Sequence, residues 1–278
     1  MSPLDFTLVT FVVSVVAGFV GSLLGLGGGM IVTPVLTLAL GVDIRYAIGA
    51  SIVSVIATSS GAAAAYVRQH MTNMRVAMFL EIGTTLGAIT GAWLAGRIDP
   101  QWLYLIFGLV LTASAIAMLR KRHAAGGPVP PDPMADRLRM HGEFFDESLQ
   151  RTVAYRVSGS RPALALMYVA GVLSGLLGIG SGALKVPAMD LSMRLPLKVS
   201  TATSNFMIGV TAAASAGVYF LRGDIVPFIA APVAAGVLVG ATVGSRVMAR
   251  LDNRVLRIVF VIVLLIVSVQ MILKGVRG

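Results

Sequence analysis

The chain has 278 residues, of which 12% are charged and 56% hydrophobic, with a net charge of +10. Soluble domains carry about 25% charged residues, so this composition, with a mean hydropathy of +0.88, excludes a water-soluble globular protein. The absence of cysteine excludes disulfides, thiolate metal sites and thiol catalysis. The basic residues fall in short loops between apolar runs, a placement that orients membrane helices and argues against nucleic-acid binding.

Taken in chain order, the first apolar stretch, 6–24, has neither a positive leader region nor a small-residue cleavage pattern. It reads as a membrane segment, not a removable signal. Stretches at 30–41, 46–67, 74–96 and 102–120 follow. Continuous apolar runs rather than alternating ones exclude a β-barrel, and several approach the roughly 20 residues that cross a hydrocarbon core. Stretch 30–41 is short. It either spans with help or forms the return limb of a re-entrant hairpin. Residues 121–161 contain RKRH and GGPVPPDP and read as a solvated cytoplasmic tether, with a short amphipathic helix at 134–150 lying on the membrane surface. A second apolar set occupies 163–177, 183–193, 199–220, 226–248 and 255–273.

The second set repeats the first. Shifted by 153 positions, Ala17, Gly18, Gly25, Gly27, Gly29 and Pro34 fall on Ala170, Gly171, Gly178, Gly180, Gly182 and Pro187. Tyr66 meets Tyr219, and Gly83, Gly87 and Gly91 meet Gly236, Gly240 and Gly244. Equal halves with glycine-broken segments are the signature of repeat-built transporters. The expected fold is an all-α polytopic membrane protein with repeats at 1–120 and 162–278, each of about five membrane segments. Five spans, or three and a hairpin, place the ends of a half on opposite sides and invert one repeat relative to the other. With the N-terminus outside, only Arg45, Arg97, Arg222, Lys274 and Arg277 among the loop basic residues lie externally. This fits the positive-inside rule better than a parallel arrangement does.

The paired breaks Gly25-Leu-Gly-Gly-Gly29 and Gly178-Ile-Gly-Ser-Gly182 are too rich in glycine for a helix, since each costs about 1 kcal/mol relative to alanine. Unwound backbone survives in a membrane only where protein or a wet cavity satisfies it. Helices opening near Met30 and Ala183 aim free N–H groups at that place, which suits an anion. The four-residue spacing of Gly83, Gly87, Gly91 and their partners instead fits close helix packing.

A duplicated G-x-G-G-G followed by a proline, ahead of Ala47-Ile-Gly-Ala-Ser51 and Ser200-Thr-Ala-Thr-Ser204, resembles the sulfite exporter TauE/SafE family of membrane transporters. The resemblance spans the chain outside 121–161 and departs from the pattern at Ala50, Ser181 and Thr201-Ala202. It implies export of sulfite or small organosulfonate anions across a prokaryotic plasma membrane, without a cofactor.

The candidate anion contacts are Gly27, Gly28, Gly29 and Met30 in the first break and Gly180, Ser181 and Gly182 in the second. Lys185, Ser51, Thr201, Ser204 and Asn205 join them. Lys185 is the lone basic residue inside an apolar stretch, a position that costs about 2.5–3.5 kcal/mol. An anion offsets that cost; snorkelling to an interface is the alternative. Asn205 brings an amide that can donate to sulfonate oxygens, or bond a neighbouring helix. Glu81 is the candidate proton-coupling group, its alternative being an interfacial pair with Arg68 or Arg75. Asp190 has Arg194 at i+4 and reads as a helix-end ion pair. A passive anion channel and a membrane scaffold are the rival functions. Proteolysis by Ser181 lacks a nearby base, because His70, His123 and His141 fall in loops. A homodimer is compatible with all of this.

Overall fold

The computed structural model describes residues 2–119, 129–178 and 180–277. The RKRH run, His123 and Ile179 lie outside the described residues. The first half contains α1 (Pro3–Leu24), α2 (Gly29–Pro34, continued by a π-helical turn Val35–Ala39), α3 (Ile44–Arg68), α4 (Met74–Ala95) and α5 (Pro100–Leu119). Next come α6 (Pro133–Arg137) and a hairpin of β1 (Gly142–Asp146) and β2 (Arg151–Tyr155). The second half contains α7 (Ser160–Leu177), α8 (Gly182–Leu191), α9 (Leu197–Leu221), α10 (Pro227–Met248) and α11 (Asn253–Arg277). Eight of these helices are long and apolar enough to cross a membrane.

Local sequence sets the helix ends. Ser2 and Asp5 form a capping box at the start of α1, with Pro3 in the first turn, where its missing N–H is harmless. α1 and α7 both stop at a left-handed glycine, Gly25 at φ 72° and Gly178 at φ 66°. Side chains are disfavoured in that conformation, and both sites are also crowded. A Cβ would lie 2.8 Å from the Thr201 carbonyl at Gly25 and 2.8 Å from the Ile48 carbonyl at Gly178.

Packing follows the repeat, but across halves. Gly236, Gly240 and Gly244 of α10 lie in ascending order against the Phe11, Val15 and Phe19 carbonyls of α1. One shift away, Gly83, Gly87 and Gly91 of α4 lie against Leu164, Tyr168 and Val172 of α7. Small residues let these backbones approach where apolar burial gives little drive in lipid. The ascending order makes α1 parallel to α10 and α4 parallel to α7. α3 also runs with α10, since Gly49 meets Asp224 and Gly61 meets Leu238. α9 runs with α4, because Thr203 binds Asn73 and Arg222 binds the Ala92 carbonyl. α5 and α11 are antiparallel: Gly108 meets Ser268, and Arg257 reaches the Met118 carbonyl.

Because α1 and α3 point the same way, the chain must return between them. α2 with its π turn makes that return, and Val32, Leu36 and Leu40 face Thr10, Val13 and Ser14 of α1. With six and five residues, this limb is about 16 Å long at the helical rise, about half a hydrocarbon core. α8, with ten residues, is as short.

The 134–150 segment is not an amphipathic helix. Only Pro133–Arg137 is helical, capped by Asp132, and the chain then pairs Gly142–Asp146 with Arg151–Tyr155 in a hairpin. The physical reason is a period of two: Phe144 and Asp146 are buried while Phe145 is exposed, a pattern that a strand satisfies. Nor is the segment a solvated tether. Ala135, Met140, Phe144 and Val157 pack with Val76, Leu80, Met189 and Met207 in one apolar cluster.

Candidate functional site

The two glycine breaks meet at the crossing of α3 and α9. Gly182 packs on the Gly25 carbonyl and Leu26, and Gly27 and Gly180 both face Val55 and Ile208. These two side chains are themselves one shift apart. Carbonyls released by unwinding are taken up by hydroxyls of the opposite half. Ser51 Oγ donates to the Gly178 carbonyl at 2.8 Å, and Ser204 Oγ donates to the Gly25 carbonyl at 2.7 Å. Tyr66 and Tyr219 donate to the Ser22 and Gly175 carbonyls at 2.9 and 2.7 Å. This satisfaction by protein is what allows irregular backbone at membrane depth.

Several candidate contacts are therefore engaged in holding the breaks. Asn205 Nδ2 donates to the Ser22 and Thr201 carbonyls, while its buried Oδ1 has no hydrogen-bond partner among the described residues. Thr201 presses its backbone against Gly25, and Met30 is fully buried in the core. Gly28 N donates to Thr58 Oγ1 at 3.1 Å, and Ser181 Oγ donates to the Gly180 carbonyl beside it. The positive ends of α2 and α8 face this packed crossing.

The charged chemistry begins one turn into α8 from the second break. Lys185 of α8 is fully buried and does not snorkel. Its Nζ donates to Thr211 Oγ1 of α9 at 2.6 Å and lies 3.4 Å from Glu81 Oε2 of α4. Thr211 Oγ1 in turn lies 2.6 Å from Glu81 Oε1, and Thr85 donates to the same oxygen at 3.2 Å. Glu81 thus pairs with Lys185, not with Arg68 or Arg75; Arg75 instead donates to the Arg139 carbonyl. Three helices from both halves supply this site. The Glu81 side chain keeps 13% exposure against 0% for Lys185, which makes the carboxylate the accessible member. Between the site and the linker lie Leu80, Met189 and Met207, sealed by Met140 and Phe144.

Three residues of this neighbourhood have partners that the sequence did not reveal. Thr211 was visible only as the repeat partner of Thr58, both polar within apolar runs. Lys198, counted as a loop cation, is fully buried, with Nζ 2.7 Å from Asp146 Oδ1 in the hairpin. Burial raises the Asp146 pKa, but hydrogen bonds from Lys198 and Ser148 and the Lys198 charge outweigh it, leaving the carboxyl below its ordinary value. Asp190 is held by Arg257 of α11 at 2.7 Å, a partner that helix spacing cannot reveal.

Comparison with known proteins agrees with this architecture. The family model for Sulfite exporter TauE/SafE matches residues 10–271. The chain is 29% identical over 221 residues to "Probable membrane transporter protein YunE" of Bacillus subtilis, covering 77% of this chain and 78% of that one. It is 31% identical over 215 residues to a "Probable membrane transporter protein" of Xylella fastidiosa, strain 9a5c, covering 77% and 74%. A Methanocaldococcus jannaschii relative, "Probable membrane transporter protein MJ0441", is 26% identical, covering 72% and 67%. No solved structure matches. With eight helices able to cross a bilayer and a family match over nearly its whole length, the chain is an integral membrane transporter and belongs to the sulfite exporter TauE/SafE family.

Proposed function

We propose that the protein is a secondary transporter that exports sulfite or small organosulfonate anions across a prokaryotic plasma membrane by alternating access. Two repeats, 1–120 and 162–278, are inverted about an axis through the crossing of the glycine breaks. The helix directions support this reading: the first half begins at the end where Phe6 stacks on Phe228, 5.7 Å between rings, and finishes at the linker end. The second half runs the opposite way. Loop charge supports a cytoplasmic linker and an external N-terminus.

The observation that carries the function is Lys185, a buried cation whose ionic partner is a carboxylate on another helix. Such groups inside a membrane mark ion pathways. Lys185 receives the anion, Thr211 supplies a hydroxyl beside it, and the backbone N–H groups of Gly180, Ser181 and Gly182 lie at the start of the same short helix. Ser51, Thr201, Ser204 and Asn205, with Gly27, Gly28, Gly29 and Met30, line the crossing that must loosen when access changes. Glu81 carries the coupling proton.

The reading is tested by uptake into proteoliposomes of sulfite, thiosulfate, sulfate, sulfoacetate and taurine, with Lys185→Ala in parallel. It expects saturable flux of sulfite or sulfonates that Lys185→Ala removes. Equal flux in that variant for every anion would disprove the site.

A further inference from the structure

We infer that Glu81 is a built-in stand-in for the transported anion, so that a proton and a monoanion load together and cross as a neutral pair. This rests on the proposed transport reading and adds its stoichiometry and charge. Lys185 has no exposure, and two oxygen groups serve its ammonium, Thr211 Oγ1 at 2.6 Å and Glu81 Oε2 at 3.4 Å. A substrate oxyanion can reach Nζ only by taking the carboxylate's place. Ejecting an ionised carboxylate into a low-dielectric wall while a second anion arrives is costly, because an uncompensated buried charge is strongly disfavoured. Protonation of Glu81 removes the conflict.

The balance is simple. An O–H bond forms on Glu81 with a proton taken from the aqueous phase, and Lys185 stays an ammonium. The anion then replaces Oε2 at Nζ. The site is neutral when empty, with one cation and one carboxylate. It is neutral again when loaded, with one cation, one neutral acid and one monoanion. A dianion would leave a net negative charge, which selects monoanions.

Other charges around Glu81 do not disturb this count. On α7, Arg161 is exposed and makes no ion pair with Glu81 among the described residues, and Tyr168 presents its backbone to Gly83 and Gly87. On α8, Asp190 is paired with Arg257; on α9, Lys198 is paired with Asp146 and Arg222 with Asp224. On α4 itself, Arg75 is taken by the Arg139 carbonyl.

The test uses the whole protein in proteoliposomes with methanesulfonate, a permanently ionised monoanion that carries no proton of its own. A methanesulfonate gradient should drive internal acidification at one proton per anion, with a rate unchanged by an imposed membrane potential. Glu81→Gln, a fixed mimic of the loaded acid, should keep anion–anion exchange while losing the proton movement that accompanies the anion. Net flux in that variant should become potential-dependent. Flux without protons, or with current, in the unaltered protein would overturn the inference and leave the transport reading standing. If only sulfite is carried, its flux against an imposed potential gives the same reading: independence supports neutral pairing, dependence overturns it. Absence of all anion flux in the unaltered protein would count against the transport reading itself. The doubly neutral Lys185→Met/Glu81→Gln protein serves as the folding control and should neither exchange anions nor move protons; exchange in it would also overturn the inference.

Discussion

Thr58 and Thr211 occupy the same place in the two halves and do different work. Thr58 accepts a hydrogen bond from Gly28 N and so closes the first glycine break. Thr211 has turned away from its own break and stands between Lys185 and Glu81. The positions that correspond to Lys185 and Glu81 in the other half are Val32 and Ala234, both apolar. The two halves share their glycines and hydroxyls at matching sequence positions, but this charged pair has no counterpart at the corresponding positions. The scaffold positions should therefore respond to mutation in pairs, whereas the charged positions should not.

The largest effect is expected at Lys185. Replacing it with methionine strands Glu81 and should lower stability by about 3–5 kcal/mol, read by thermal unfolding in detergent. The Lys185→Met/Glu81→Gln protein should recover most of that loss without regaining transport. Recovery of neither, or of both, would break the distinction between a charged site and its scaffold.

Next come the helix crossings. Gly87→Ala and Gly240→Ala each drive a methyl into a facing carbonyl, of Tyr168 and Val15. Each should cost about 1–3 kcal/mol, and by similar amounts. Unequal losses would show that the two crossings are not equivalent.

A smaller difference should separate the threonines. Thr58→Ala removes one backbone hydrogen bond, worth about 0.5–1.5 kcal/mol, with little change in anion affinity. Thr211→Ala should weaken anion binding several-fold at a similar cost in stability. The comparison is sharpened if flux and unfolding are measured on the same samples.

The last effect is confined to the linker. The Asp146 pKa is depressed in the folded protein, so its contribution is present above the unfolded value of about 3.9 and is lost as pH falls through the lower folded one. Hydrogen exchange over 142–155, taken relative to its intrinsic rate at each pH, should stay slow at neutral pH and rise only below about pH 4. Asp146→Asn should raise it already at neutral pH.

Much of the helical framework was legible because apolar runs and glycine breaks obey local rules. The apolar stretches 46–67 and 199–220 became Ile44–Arg68 and Leu197–Leu221. The hairpin was not legible: strands of five residues carry little periodic signal, and the charges at Asp136, Arg137 and Arg139 imitate a helix face. Pairing across helices was equally hidden. Glu81 and Lys185 are 104 residues apart, and only the packing of α4 on α9 and of α8 on α9 unites them. The reach of Arg257 to Asp190 was hidden for the same reason. Sequence could mark each group as costly in a membrane, yet the partner that offsets the cost is a property of the fold.

In the proposed mechanism the anion takes the place of Glu81 on Lys185. Calorimetric binding of methanesulfonate to the purified protein across pH tests it most directly. Affinity should rise by up to about tenfold for each pH unit lowered while Glu81 is ionised, with one proton taken up per anion. Glu81→Gln should bind with no pH dependence. Binding to the unaltered protein without proton uptake, or unchanged binding in Lys185→Met, would contradict the account.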